Sequence, residues 1–465
     1  MVKYSLGALK AEANYTEAKR AIHRGNPWIE ALPDSPSDKE LFDLLKKNDS
    51  NCIYDEAERE LEAYERRECI QSLSHVFIPL GKNAEVVRKV FSAIKEGYVS
   101  RNPLRGDWTH DLGDLQTCIR NKDASFSNLS GTNANACGFC VIGDSGMGKT
   151  TAVNHALKIF PQVIIHRNYQ GTDFPHMQLV WMRLECPQDA SVKGLCSEFF
   201  MEFDKIFHDN TFSKFASGGR ATVDQMIPQM AFVAQRHGLG LLVIDEIQNL
   251  SEAKSGGAQR MLNFIKQLVN AIGLPVLLVG TPPALDLLST DLMTARRSAG
   301  QQGVSYLHPL EKGSAVWEQF LKGIWKYQWT AQKTPYSTEL ADVFHEYSCG
   351  NLDMTVKLYM ESQRLAIARG KGETITPATV RAAANADSFK LVVASLQREQ
   401  AKGKARPLKT PPVKTAVVPQ QADAESKTTS HRAAPKVKGT PPKTGVAALK
   451  ELDAAGKVVK PEDEF

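Results

Sequence analysis

Residues 138–160 read GFCVIGDSGMGKTTAVNHALKIF, and this pattern decides the fold of the chain's centre. A short apolar run, GFCVI, has the length and composition of a buried strand. It leads into GDSGMGKT (143–150), a match to GxxxxGK[ST], and then into a helical pattern. The glycines Gly143, Gly146 and Gly148 allow the backbone to wrap tightly. The N–H groups of the loop, from Gly143 through Asp144, Ser145, Gly146, Met147 and Gly148 to the helix start at Thr151, can then converge on phosphate oxygens. The helix N-terminus adds partial positive charge. Lys149 is placed to reach the β and γ phosphates and Thr150 to offer its hydroxyl to Mg²⁺. The expected ligand is ATP with Mg²⁺, in a P-loop.

A second element fits the first. LLVIDE (241–246) is an apolar strand that ends in two carboxylates, and ligands of parallel sheets sit at that edge. Asp245 is expected to hold Mg²⁺ through water and Glu246 to polarise the attacking water. PVLLVGTP (275–282) is a further strand. Thr281 at its end is read either as a γ-phosphate sensor or as a turn residue before Pro282. Arg296 and Arg297 in DLMTARRSAG are either a solvated basic pair or a source of positive charge for a neighbouring subunit's ATP site.

Around these motifs the chain divides by composition. Residues 1–130 read as mostly helical, with breaks at Gly25–Pro27 and Leu32–Pro36, dense charge over 39–70, and a packed helix at 85–96. A Ser/Asn/Thr/Gly-rich stretch at 124–135 reads as a linker. Residues 131–310 alternate apolar runs (138–142, 162–166, 179–184, 240–244, 275–279 and 304–307) with helices such as 260–272. That alternation predicts an α/β domain with a parallel sheet covered on both faces. Residues 311–395 return to helical periodicity. Residues 396–465 form a Lys/Pro/Ala/Thr-rich tail whose composition predicts disorder, with KTPPVKT (409–415) and GTPPKTG (439–445) as extended pieces and 446–453 as a possible docking helix.

The full 465 residues are 42% apolar and 23% charged, as in a soluble globular protein. No stretch nears about 18 consecutive apolar residues, and the N-terminus lacks the apolar core of a secretion signal. A cytoplasmic location with no membrane partner is expected. Of 57 Lys+Arg and 52 Asp+Glu, 13 and 7 fall in 401–465, leaving 44 against 45 elsewhere. Any nucleic-acid contact by the folded part therefore needs a local basic patch. Eight cysteines are scattered, and reduced thiols are expected in a cytosolic chain. Cys137 and Cys140 form one CxxC. No second ligand pair accompanies it, so the alternatives are a zinc or redox role and simple packing of Cys140 in a strand.

P-loop, Asp-Glu strand, polar sensor, arginine pair and helical lid together resemble AAA+ ATPases. A narrower set resembles the TnsC family, ATPase regulators of bacterial cut-and-paste transposons with a multi-protein transposase. It comprises NPWIEALP (26–33), IKEGYVSRNP (94–103), PQVIIHR (161–167), GLLVIDEIQNLS (240–251), SGGAQRMLNF (255–264), GTP (280–282), DLMTARRSAG (291–300) and MTVKLYMESQRLAIARG (354–370). The resemblance implies a homo-oligomeric ring or spiral on double-stranded DNA. It implies partnership with a target-selection protein, which 1–130 is expected to meet, and with transposase subunits, with ATP hydrolysis resetting the assembly. It matches Thr281 to the sensor, Arg296 or Arg297 to the finger, and Lys357 to the lid's base. It also matches Lys193, and less closely Arg220 and Thr222, to phosphate-contacting positions on DNA. The alternative is a non-transposon AAA+ DNA remodeller or helicase loader.

Overall fold

The computed structural model describes residues 3–47, 54–121, 138–216, 221–252, 257–284, 303–370 and 372–405. Among them are eight strands: β1 (Lys10–Glu12), β2 (Phe139–Gly143), β3 (Val163–Tyr169), β4 (Thr172–Leu179), β5 (Trp181–Glu185), β6 (Leu241–Asp245), β7 (Val276–Gly280) and β8 (Val304–Leu307). Five make an all-parallel sheet in the order β5-β6-β7-β2-β8. From β2 the chain crosses to the far edge at β5, returns through β6 and β7, and finally places β8 on the other side of β2. The carboxyl ends beside β2 therefore border the crevice where ligands of such sheets bind.

Side-chain alternation explains the two covered faces. Phe139, Val141, Leu241, Val243, Leu277 and Val279 join one core with the helices Gly81–Val99 and Lys149–Leu157. Cys140, Ile142, Leu242, Ile244, Val276 and Leu278 join the other, with Val192–Phe207, Val223–Arg236 and Gly257–Ile272. The expected alternating α/β domain is thus found, with one correction. The run 162–166 does not enter the parallel sheet. It begins β3, which pairs antiparallel with β4 and parallel with β1 in a separate three-stranded sheet. The reason is a tight turn at Gln170 and Gly171, both with positive φ (48° and 78°), which folds β4 back on β3. The run 179–184 is accordingly split, since Leu179 ends β4 and Trp181 starts β5.

The C-terminal body contains the helices Ala315–Ile324, Thr338–Ser348, Leu352–Arg369, Pro377–Ala384 and Asp387–Ala405. The last of these runs beyond the expected boundary at 395, and residues 406–465 of the expected tail lie outside the described residues. The N-terminal region is shared between the two bodies. Residues 3–47 and 81–121 pack on the sheet, whereas Ile70, Leu73 and Leu80 share a core with Trp317, Trp329 and Tyr359. Arg66 is fixed in this second body by a buried ion pair with Glu373, including Nη2 to Oε1 at 2.9 Å, and by donation to the Trp329 carbonyl at 3.0 Å.

NPWIEALP and GYVSRNP, which carry part of the resemblance above, have a packing role in the structure. Asn26 Nδ2 donates to the Tyr98 carbonyl at 2.8 Å, and Asn26 Oδ1 accepts from Trp28 N at 3.1 Å. Trp28 is fully buried against Tyr98, Trp108 and His176. The two strings meet as one packing anchor.

Candidate nucleotide site

The GDSGMGKT loop leaves β2 at Gly143, where an added Cβ would fall 2.5 Å from the Leu307 carbonyl oxygen. Gly148 precedes the helix Lys149–Leu157 in the left-handed conformation, φ 71°. Gly146 is also left-handed (φ 78°), and a Cβ there would lie 2.6 Å from Asn351 Oδ1. Residue type is dictated at these positions by conformation and close approach. Lys149 Nζ donates to the Asp144 carbonyl of its own loop at 2.9 Å. Burial pulls its pKa down, opposed by the charges of Glu246, Asp245 and Asp144.

The loop and the acidic strand meet. Thr150 Oγ1 donates to Asp245 Oδ2 at 2.9 Å. Asp245 is 2% exposed at the end of β6, and its Oδ1 accepts from Glu246 N at 2.9 Å. This hydroxyl and carboxylate are hard oxygen donors of the kind that would suit a divalent cation such as Mg²⁺. Glu246 is exposed and non-glycine at φ 56°, a conformation that costs backbone strain. Thr281 follows β7, and its N–H donates to Gln248 Oε1 at 3.2 Å.

Three contributors were not read from the sequence as site residues. Arg183, on β5, donates Nη2 to Asp245 Oδ2 at 3.1 Å and Nη1 to Asn154 Oδ1 at 3.4 Å. Gln248 donates Nε2 to Glu246 Oε2. Asn351 caps the helix Leu352–Arg369 by accepting from Met354 N at 3.1 Å, and donates Nδ2 to the Ser145 carbonyl at 2.7 Å. Asp353 N adds a bond to the Gly146 carbonyl at 3.0 Å. The phosphate loop is thereby bonded to the helical body.

Between these parts lies a cavity of about 800 Å³, bordered by Gly146, Met147, Gly148 and Thr151, by Phe77 and by Lys357. Its size and largely apolar walls suit a nucleoside. Lys357 stands on the helix Leu352–Arg369 with Nζ 2.7 Å from Asp353 Oδ2.

Lys193 is in the first turn of Val192–Phe207, and Thr222 precedes Val223–Arg236 in a capping box with Gln225. Phe203 and Phe207 both contact His237, which ends the second helix. The C-terminal ends of the two helices therefore meet, and Lys193 and Thr222 each stand at the opposite, N-terminal end of their helix. Arg220, Arg296, Arg297 and Cys137 lie outside the described residues. Cys140 is buried in β2, and burial pushes its thiol up to about 12. Among the described residues no helix is long and apolar enough to cross a membrane.

A family model described as an AAA domain matches residues 135–288. A search of curated proteins found no significant match. Among solved structures, the chain is similar to the Walker-type ATPase of Pyrococcus abyssi at 14% identity, covering 63% of this chain and 75% of that one with a TM-score of 0.37. It is similar to the ORC2 protein of Aeropyrum pernix, solved in ADPNP–ADP complexes, at 11% identity, covering 60% and 69% with a TM-score of 0.34. It is also similar to Cdc6p from Pyrobaculum aerophilum at 14% identity, covering 59% and 65% with a TM-score of 0.36. The matched segment spans the phosphate loop, the acidic strand and β7, and the chain carries an AAA-type ATPase domain.

Proposed function

We propose that the chain is an ATP-hydrolysing switch that assembles on duplex DNA and regulates transposition. The observation that carries the ATPase part is the Thr150–Asp245 hydrogen bond at 2.9 Å with Glu246 next in the chain. The loop N–H groups and Lys149 bind the β and γ phosphates. Thr150 and Asp245 would hold Mg²⁺, which would supply charge neutralisation for the phosphoryl oxygens. Glu246 orients the attacking water and accepts its proton. Thr281 senses the γ phosphate. Arg296 or Arg297 supplies charge to the neighbouring subunit's site, and Lys357 closes the lid over the nucleotide.

The DNA part is supported by Lys193 and Thr222, each at the N-terminal end of a helix whose C-terminal end meets the other's, with Arg220 just before the second helix in the sequence. Contacts from such residues are to phosphates and largely independent of sequence. The transposition part rests on the resemblance alone: the N-terminal region is assigned to a target selector, and the tail to transposase subunits. A non-transposon DNA remodeller or helicase loader is the second reading. It gains from the finding that NPWIEALP and GYVSRNP are packing anchors, which any protein of this fold could use.

Imaging the full chain with duplex DNA and a non-hydrolysable ATP analogue tests the proposal. Rings or spirals around DNA are expected. Dispersed monomers would contradict it.

A further inference from the structure

We infer that Gln248 is the positioning residue for the Glu246 carboxylate. The inference rests on the reading of Glu246 as the group that acts on water. The turn after β6 is fixed by its backbone. Ile247 N donates to the Val279 carbonyl at 3.0 Å, and Asn249 N donates to the Glu246 carbonyl at 3.0 Å. Asn249 Nδ2 donates to the Cys186 carbonyl at 2.7 Å, tying the turn to the end of β5 as well. The turn seats against Gly280, where an added Cβ would lie 2.4 Å from Ile247 Cγ2 and 3.0 Å from Gln248 Oε1. Gln248 is thereby held between the carboxyl ends of β6 and β7.

Its amide uses both ends there. Nε2 donates to Glu246 Oε2, while Oε1 accepts from Thr281 N at 3.2 Å. A primary amide can donate to a carboxylate and accept from an N–H at once. An ionised Glu in its place could accept but not donate, and Lys or Arg could donate but not accept. Glu246 is exposed, so packing does not select its rotamer. The Gln248 bond orients the carboxylate, and the Thr281 bond anchors Gln248 to the strand end that faces the γ phosphate in the proposed mechanism. A base held off its productive geometry loses rate without losing substrate binding.

Steady-state ATP hydrolysis and equilibrium binding of a fluorescent ATP analogue, measured on the full chain, test this with Gln248→Met and Gln248→Glu. The expected result for both is a kcat reduced by about tenfold or more with the nucleotide Kd within about threefold of the parent. Three results would overturn the inference. One is a kcat within about twofold of the parent in Gln248→Met. Another is recovery of the parent kcat in Gln248→Glu, which would make the acceptor bond sufficient. The third is a Kd weakened in step with kcat, which would mark general damage to the site. Glu246→Gln measured alongside separates the two levels. If it hydrolyses ATP normally, the reading of Glu246 is wrong and the role of Gln248 goes with it. If it is inactive while Gln248→Met is not, only the role of Gln248 fails.

Discussion

Arg183 Nη2 lies 3.1 Å from Asp245 Oδ2, the oxygen that also accepts the Thr150 hydroxyl at 2.9 Å. Asp245 is almost fully buried, and Arg183 is the basic side chain paired with it among the described residues. Removing the guanidinium leaves a buried carboxylate short of a donor. Arg183→Met is expected to lower stability by about 1–3 kcal/mol, reduced from the fully buried limit because Arg183 keeps partial solvent access. Arg183→Lys should retain part of the loss. Urea unfolding checks it, and an unchanged midpoint in Arg183→Met would contradict it.

Asn351 has two separable jobs. Its Oδ1 caps the helix Leu352–Arg369 and its Nδ2 bonds the phosphate loop. Asn351→Ala should cost about 1 kcal/mol through the lost cap and weaken nucleotide binding. Asn351→Asp keeps the cap but not the donor, so its stability should stay near the parent's while nucleotide affinity falls. Thermal unfolding and nucleotide titration read the two effects apart. Equal affinity in Asn351→Asp and the parent would show that the Ser145 bond is idle.

Buried histidines set a pH limit on stability. Burial lowers His166 to about 4 and His237 to about 3, and also drives His176 well below its ordinary value. His166 bonds Tyr15 and Gln178, and His237 lies near Arg236 and Asp209. The unfolded rings take up protons near pH 6.5, before the folded ones do. Stability should therefore be full above that pH and fall as the pH drops toward 4 and then 3, on the order of 1–2 kcal/mol per ring by pH 5. Denaturant melts at pH 7.5, 6 and 5 check this, and a flat profile would contradict it.

For the DNA surface, Lys193→Ala should weaken duplex binding by a similar factor on unrelated sequences and reduce the salt slope by about 0.9. Binding isotherms at several salt concentrations measure both quantities. Unchanged affinity and slope would remove Lys193 from the interface.

What was legible in the sequence follows from how local each constraint is. The phosphate loop and LLVIDE could be read because the chemistry requires particular residue types at fixed spacing along one strand-turn-helix or one strand end. The two covered faces of the sheet could be read from apolar runs. Arg183, Gln248 and Asn351 could not, because each matters through a contact made by folding: Arg183 meets Asp245 across 62 positions and Asn351 meets Ser145 across 206. Gln248 is close to Glu246 in the chain, yet its significance depends on Thr281, 33 positions away. The run 162–166 was misplaced because its partner β4, with Thr172, Asp173, His176 and Gln178, carries too many polar residues to announce a hairpin. Conversely, the packing role of NPWIEALP could not be read, because Trp28's burial against Tyr98 and Trp108 is invisible in a linear string.

The decisive measurement is ATP hydrolysis by Glu246→Gln, with bound nucleotide and DNA-bound assembly followed in the same samples. The site described here predicts that nucleotide binding survives, hydrolysis falls by a factor of about a hundred or more, and DNA-bound oligomers persist. Hydrolysis at the parent rate would contradict it.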